Sequence, residues 1–194
     1  METKQIALVG YGAMGQRIAA AIEAREGWEL CGAIDPLHTP QCHASLEELP
    51  QVPHLIIDFS HPANLAMVCD YAQRHKVPCV IATTGYTPAQ EAMCQELAAY
   101  APVVRTQNTS LGINVMQQIL KVITPVLADA FDIEIIEKHH NKKIDAPSGT
   151  AKMLAQTIES CGTFHEVRGR DGVCPRQKGD IGIHAIRGGT IAGE

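Results

Sequence analysis

A short aliphatic block, Ile6-Ala7-Leu8-Val9, runs directly into Gly10-Tyr11-Gly12-Ala13-Met14-Gly15, and residues 15–24 then continue with helix formers. This junction constrains the fold tightly, because a strand must stop, turn within a few residues and re-enter as a helix. Glycine at the first position permits the turn. Glycine at the second lets the backbone approach a ligand, and at the third it lets helix pack closely on strand. The resulting helix start offers unpaired amides and the positive end of a dipole to an anion such as a pyrophosphate. A second aliphatic block, residues 29–34, ends in Asp35. It lies about 20 residues beyond the loop, the spacing at which a carboxylate meets ribose hydroxyls. Together these residues predict a dinucleotide site.

The blocks 55–59, 77–82 and 103–106 are further aliphatic strands. Between them, residues 45–49 predict one helical turn, residues 60–74 a helix with Pro62 near its start, and residues 87–99 a helix opened by a Thr87/Gln90 capping box. Aliphatic strands alternating with helices imply a parallel sheet with crossover helices. The pattern changes near residue 110. Ile113, Met116, Ile119, Leu120, Ile123 and Leu127 recur at helical spacing. Residues 131–139 then read as a strand with Ile133 and Ile135 on one face. Ala151, Leu154, Ala155 and Ile158 mark the buried stripe of another helix, and residues 181–191 read as a strand broken at Gly188-Gly189. No internal repeat is evident, and residues 161–180 carry no candidate site. The expectation is two domains, 1–110 and 111–194.

Composition narrows the function classes. The net charge of −5 and only one Trp, four Tyr and three Phe argue against nucleic-acid binding. No apolar run approaches the ~18 residues of a membrane span, and the N-terminus lacks the basic and apolar regions of a signal peptide. Seven cysteines without a CxxC pair suit reduced thiols in a cytoplasm better than a disulfide framework or a zinc site.

The most informative segment is Glu134-Ile135-Ile136-Glu137-Lys138-His139-His140-Asn141-Lys142-Lys143-Ile144-Asp145-Ala146-Pro147-Ser148-Gly149-Thr150-Ala151. His139, His140, Lys142 and Lys143 crowd a strand end, and Ser148-Gly149-Thr150 opens the next helix. Free amides around Ser148 to Thr150 would form an anion site. Histidine and lysine bind carboxylates and can supply a proton near neutral pH. The arrangement suits a small substrate with two carboxylates that must be protonated. The plainer alternative is a solvated basic loop before a capped helix. No metal site is expected, because His139 and His140 are adjacent on a strand and point to opposite faces.

This segment, with HHNKKIDAPSGTA at its heart, resembles the signature of the dihydrodipicolinate reductase (4-hydroxy-tetrahydrodipicolinate reductase) family. Gly10 to Gly15, Asp58-Phe59-Ser60, Thr83-Thr84-Gly85, Asn108-Thr109-Ser110-Leu111-Gly112-Ile113-Asn114 and His184-Ala185-Ile186-Arg187-Gly188-Gly189 agree with the family in order. The resemblance implies a Rossmann-type parallel-sheet domain followed by an α+β substrate domain with a mixed open sheet. It also implies NADH- or NADPH-dependent reduction of a cyclic dicarboxylate in the diaminopimelate route to lysine, by a homo-oligomer, a tetramer in the family. His139 and Lys143 match the catalytic pair. His140, Gly149 and Thr150, with Ser148 beside them, match the carboxylate-gripping groups. Gly10, Gly12, Ala13, Met14, Gly15, Asp35, Phe59, Ser60, Thr83, Thr84, Gly85, Asn108 and Ser110 fall on the cofactor side. For Ser60 and Arg187 a helix cap and a salt-bridged strand residue are the competing readings.

Two departures from the family bear on function. Ala13 stands where many relatives carry a basic residue, and Asp35 is followed by Pro36 rather than arginine. Both features favour NADH over NADPH, because a carboxylate repels a 2′-phosphate. Family members also continue beyond Ala192-Gly193-Glu194, so part of the substrate domain is expected to be missing. Two alternatives remain at this stage: another two-domain amino- or keto-acid dehydrogenase, and a non-catalytic dinucleotide-binding module.

Overall fold

The computed structural model describes residues 3–35 and 41–194. Pro36, which closes the second strand in the sequence reading, lies outside them. The chain divides into two compact units, Met1–Gln107 and Asn108–Glu194.

In the first unit, β1 (Lys4–Val9), β2 (Trp28–Ile34), β3 (Leu55–Asp58), β4 (Cys79–Ile81) and β5 (Val103–Arg105) form one sheet in the order β2-β1-β3-β4-β5. Every ladder in it is parallel. Ile6, Ala7, Leu8 and Val9 are all buried, so β1 is covered on both faces. That burial is why its sequence reads as an unbroken aliphatic run rather than an alternation. Helices α1 (Ala13–Glu23), α2 (Leu65–His75) and α3 (Pro88–Leu97) supply the crossovers, with short 3-10 turns at Leu46–Glu48 and Pro62–Asn64. Thr87 and Gln90 cap α3 reciprocally. The strand order reverses between β1 and β3. Crevices at the carboxyl ends of strands flanking such a switch are where open α/β sheets bind ligands.

In the second unit, α4 (Leu111–Leu127) precedes β6 (Ile133–His139), α5 (Gly149–Glu159), β7 (His165–Arg168) and β8 (Asp180–Arg187). Ala155, Ile158, Ile181 and Ile183 form its core, with Leu120, Ile133, Ile135 and Phe164 packed around them. The strand order is β6-β8-β7. Both ladders between these strands are parallel, a stricter pattern than the mixed sheet expected of the whole domain. The connections allow it: α5 carries the chain over from β6 to β7, and residues 169–179 are long enough to return it for β8. An antiparallel-type exchange does occur beside them, where Lys138 and Glu194 trade both backbone hydrogen bonds at 2.9 Å. β7 falls in a stretch that the sequence leaves without an element. Its residues, His-Glu-Val-Arg, include a single aliphatic side chain, and the β8 ladder holds them extended. α4 is unusual in its exposure. Leu111, Val122 and Val126 are 78%, 71% and 75% exposed, and Thr124 is its one buried residue. No described helix is long and apolar enough to cross a membrane.

Candidate active site

The glycine loop sits at the carboxyl end of β1, at the switch in strand order. Gly10 has φ +93, and a Cβ there would overlap the Phe59 carbonyl. Its N–H donates to the Ile34 carbonyl and the Phe59 N–H to Val9, so the loop is pinned between β2 and β3. A Cβ at Gly15 would overlap the Gly10 carbonyl, whereas one at Gly12 would meet no protein atom. Gly12 is also the N-cap of α1 and brings no side chain to its orphan amides. The loop therefore leaves a bare, electropositive helix start, with Ala13 and Met14 in its first turn. These features fit a dinucleotide pyrophosphate. Asp35 follows β2 directly, and its amide donates to the His43 carbonyl.

Beside the loop lies a polar cluster that the sequence reading only partly anticipates. The fully buried Asp58 ends β3. Its Oδ1 accepts from the Ser60 hydroxyl at 2.5 Å and the Ser60 amide at 3.1 Å, and its Oδ2 accepts from the Tyr86 hydroxyl at 3.1 Å. The Ser60 amide also donates to the Thr83 hydroxyl at 2.8 Å. Burial raises the Asp58 carboxyl above the usual range, against the hydrogen bonds from Ser60, Thr83 and Tyr86. Burial, and then the Asp58 carboxylate, also raises the Tyr86 phenol. Phe59, Ser60 and Thr83 are thus brought together with Gly10. Thr84 is exposed, and Gly85 (φ +82) makes the turn after it. Tyr86 goes unnoticed in the sequence, and Asp58 enters there only as part of the Asp58-Phe59-Ser60 resemblance. An aspartate ending an aliphatic strand was the available signal for Asp58.

In the second unit, Asn108, Glu137, His139, Ser148 and Thr150 line one cavity of about 420 Å³, whose apolar wall includes Ile113, Met116 and Leu154. Asn108 and Ser110 belong to this unit rather than to the first. Asn108 Nδ2 donates to the Thr150 hydroxyl at 2.9 Å, and Ser110 caps α4. Ser148 caps α5, its hydroxyl accepting from the Ala151 amide at 3.2 Å. The Ser148 amide is not free, as the sequence reading expects; it donates to Glu137 Oε1 at 2.9 Å. The Gly149 and Thr150 amides follow in the first turn, and a Cβ at Gly149 would meet nothing. The amides left for the expected anion site are therefore those of the first turn of α5.

His139 Nδ1 lies 2.6 Å from Glu137 Oε2. Arg187 clasps the same carboxylate at 2.7 and 2.8 Å, so it is the salt-bridged strand residue weighed above. Burial alone would raise Glu137. The hydrogen bonds from Arg187, His139 and Ser148 outweigh burial and hold the carboxyl at about 2. Lys143 and His140 are not among the residues lining the cavity. Lys143 Nζ pairs with Asp145 Oδ1 at 2.6 Å, and His140 Nδ1 is buried without a hydrogen-bond partner among the described residues.

Family models match both parts of the chain: dihydrodipicolinate reductase, N-terminus, over residues 4–109, and dihydrodipicolinate reductase, C-terminus, over residues 112–194. The chain belongs to the dihydrodipicolinate reductase family. It is 40% identical over 186 residues to the 4-hydroxy-tetrahydrodipicolinate reductase of Alkaliphilus metalliredigens (strain QYMF), covering 94% of this chain and 74% of that protein. It is likewise 40% identical over 195 residues to the 4-hydroxy-tetrahydrodipicolinate reductase of Exiguobacterium sibiricum, covering 98% and 76%. The dipicolinate-bound dihydrodipicolinate reductase from Paenisporosarcina sp. TG-14 shares the fold, with a TM-score of 0.71, 24% identity and coverage of 99% of this chain and 81% of that one.

Proposed function

We propose that this member of the dihydrodipicolinate reductase family reduces 4-hydroxy-tetrahydrodipicolinate to tetrahydrodipicolinate in the diaminopimelate route to lysine, in the cytoplasm. The observation that carries this reading is about 40% identity to named reductases over nearly the whole chain. The first unit, Met1–Gln107, holds the dinucleotide and the second, Asn108–Glu194, the cyclic dicarboxylate. The bound reduced nicotinamide supplies a hydride. Gly10, Gly12 and Gly15 shape the pyrophosphate cradle, with Ala13 and Met14 in the helix turn above it. Phe59, Ser60, Thr83, Thr84 and Gly85 border the nicotinamide side. Gly149 and Thr150 grip a substrate carboxylate through their amides, with Ser148 holding the turn and His140 as a further carboxylate-gripping group. His139 or Lys143 supplies the proton that follows the hydride, while Asn108 steadies the cavity wall and Ser110 the start of α4. The chain acts as a homo-oligomer, a tetramer in keeping with its family.

Asp35 disfavours a 2′-phosphate by charge repulsion, so NADH is the preferred donor. The test is a steady-state assay in which aspartate semialdehyde, pyruvate and a synthase generate the substrate and loss of reduced-nicotinamide absorbance is followed. Turnover is expected, with a higher kcat/KM for NADH than for NADPH. Replacing His139 by Gln or Lys143 by Met should each lower kcat by about 100-fold or more, the usual scale for a positioned proton donor. Equal kcat/KM values for the two donors would remove the argument from Asp35. Unimpaired turnover in both variants would remove the catalytic pair.

A further inference from the structure

One buried carboxylate ties together the parts of the second-unit site. Glu137 lies two residues before His139 on β6, and so on the same face of the strand. Its Oε2 faces His139 Nδ1 at 2.6 Å and accepts from Arg187 Nη1 at 2.8 Å. Its Oε1 accepts from Arg187 Nη2 at 2.7 Å and from the Ser148 amide at 2.9 Å. Arg187 Nη2 also donates to the Asp145 carbonyl at 2.6 Å, and the Asp145 side chain pairs with Lys143. A continuous polar chain thus runs from His139 through Glu137, Arg187 and Asp145 to Lys143.

The donors around Glu137 leave little freedom. Guanidinium and amide groups only donate, and an ionised carboxylate only accepts. The hydrogen in the His139 contact therefore sits on Nδ1, and in the neutral ring the lone pair is left on Nε2. We propose that Glu137 is the positioning residue for His139, holding the imidazole in its Nδ1–H form so that Nε2 is the nitrogen that exchanges the proton during reduction. This rests on the catalytic reading of His139 given above. The same carboxylate fixes the Ser148 amide, so the proton donor and the carboxylate-gripping helix start share one anchor. Partners of this kind govern which imidazole nitrogen is reactive.

The competing role is purely structural, with Glu137 as a counter-ion for Arg187. Glutamine separates the two. If its carbonyl faced His139, its NH2 would oppose both Arg187 Nη2 and the Ser148 amide. If its carbonyl faces Ser148 instead, only one donor–donor clash remains, with Arg187 Nη1, and the NH2 then points at His139 Nδ1. That ring nitrogen must become an acceptor, which drives the imidazole to the Nε2–H form.

The experiment is a long-range proton–nitrogen correlation spectrum of the whole chain labelled with 15N-histidine, recorded where the ring is neutral. His139 is assigned by its loss in His139→Gln. The parent chain should show Nδ1–H and Glu137→Gln should show Nε2–H. In Glu137→Gln kcat should fall about 10- to 100-fold, with the substrate KM little changed. The double variant Glu137→Gln/Arg187→Leu removes the unpaired guanidinium and should give the same tautomer, so the test survives if the single variant does not fold. Nε2–H in the parent chain, or Nδ1–H persisting in both folded variants, would overturn the proposal. Full turnover in His139→Gln would remove the catalytic reading and with it Glu137's part in catalysis. The spectra decide the hold on the ring separately, without reference to turnover.

Discussion

At the scale of the residue, Glu137 gathers several partners onto one buried carboxylate, yet little in the sequence marks it. Its neighbours Arg187, His139 and the Ser148 amide hold its carboxyl at about 2, down from 4.5. A carboxyl held low in the folded state contributes stability that is complete above its unfolded value. That contribution is lost as pH falls through the folded one. The urea midpoint of the chain, followed by far-ultraviolet circular dichroism, should therefore drop between about pH 4.5 and pH 2. Glu137→Gln should be less stable at neutral pH but show a shallower fall across that window, and parallel curves would contradict the assignment. The sequence displays His139 and Lys143 because a basic cluster before a helix start is conspicuous. Glu137 sits one residue from Lys138 in an ordinary-looking strand, and only strand parity joins it to His139. Arg187, fifty residues on, reaches it through a β8 register that no local pattern encodes.

At the scale of the element, the strand–glycine–helix junction was legible because its chemistry is local. Gly10 and Gly15 answer to a neighbour in the loop or the strand beside it, whereas Gly12 faces open space. That distinction is measurable. Gly12→Ala places a methyl in open space, so the melting temperature should stay within about a degree, since surface changes usually cost under 0.5 kcal/mol. NADH binding should nonetheless weaken, because that methyl points where the pyrophosphate approaches. Gly15→Ala drives a methyl into the Gly10 carbonyl. It should cost about 1–3 kcal/mol of stability as well as cofactor affinity. Calorimetry and a fluorescence titration with NADH report the two effects separately, and equal melting temperatures for the two variants would refute this division. The short β7 was illegible for the opposite reason. Within His165–Arg168 only Val167 favours a strand, and pairing with β8 is what holds the segment extended.

At the scale of the whole molecule, the parallel first sheet followed from the alternation of aliphatic blocks and helices. The parallel second sheet did not, since it depends on how residues 169–179 return the chain. The helical spacing on α4 predicted the helix but not its environment. Leu111, Val122 and Val126 remain largely exposed. In the proposed homo-oligomer such apolar surface is a natural place for burial. Val122→Glu with Val126→Glu should leave the circular dichroism spectrum intact and shift light-scattering mass toward smaller species. An unchanged mass would take α4 out of the assembly. The named ladders in both sheets are parallel, and this bears on how the chain reaches its fold. No hairpin can seed either sheet, because Ile6 must find Leu55 and Ile133 must wait for Ile181. Pairings this distant in sequence form slowly and leave aliphatic edges open in the meantime. On the ribosome, β6 emerges well before the partner that will shelter it. The stretch from Ile136 to Arg187 is thus one over which β6 exists before the strand that pairs with it.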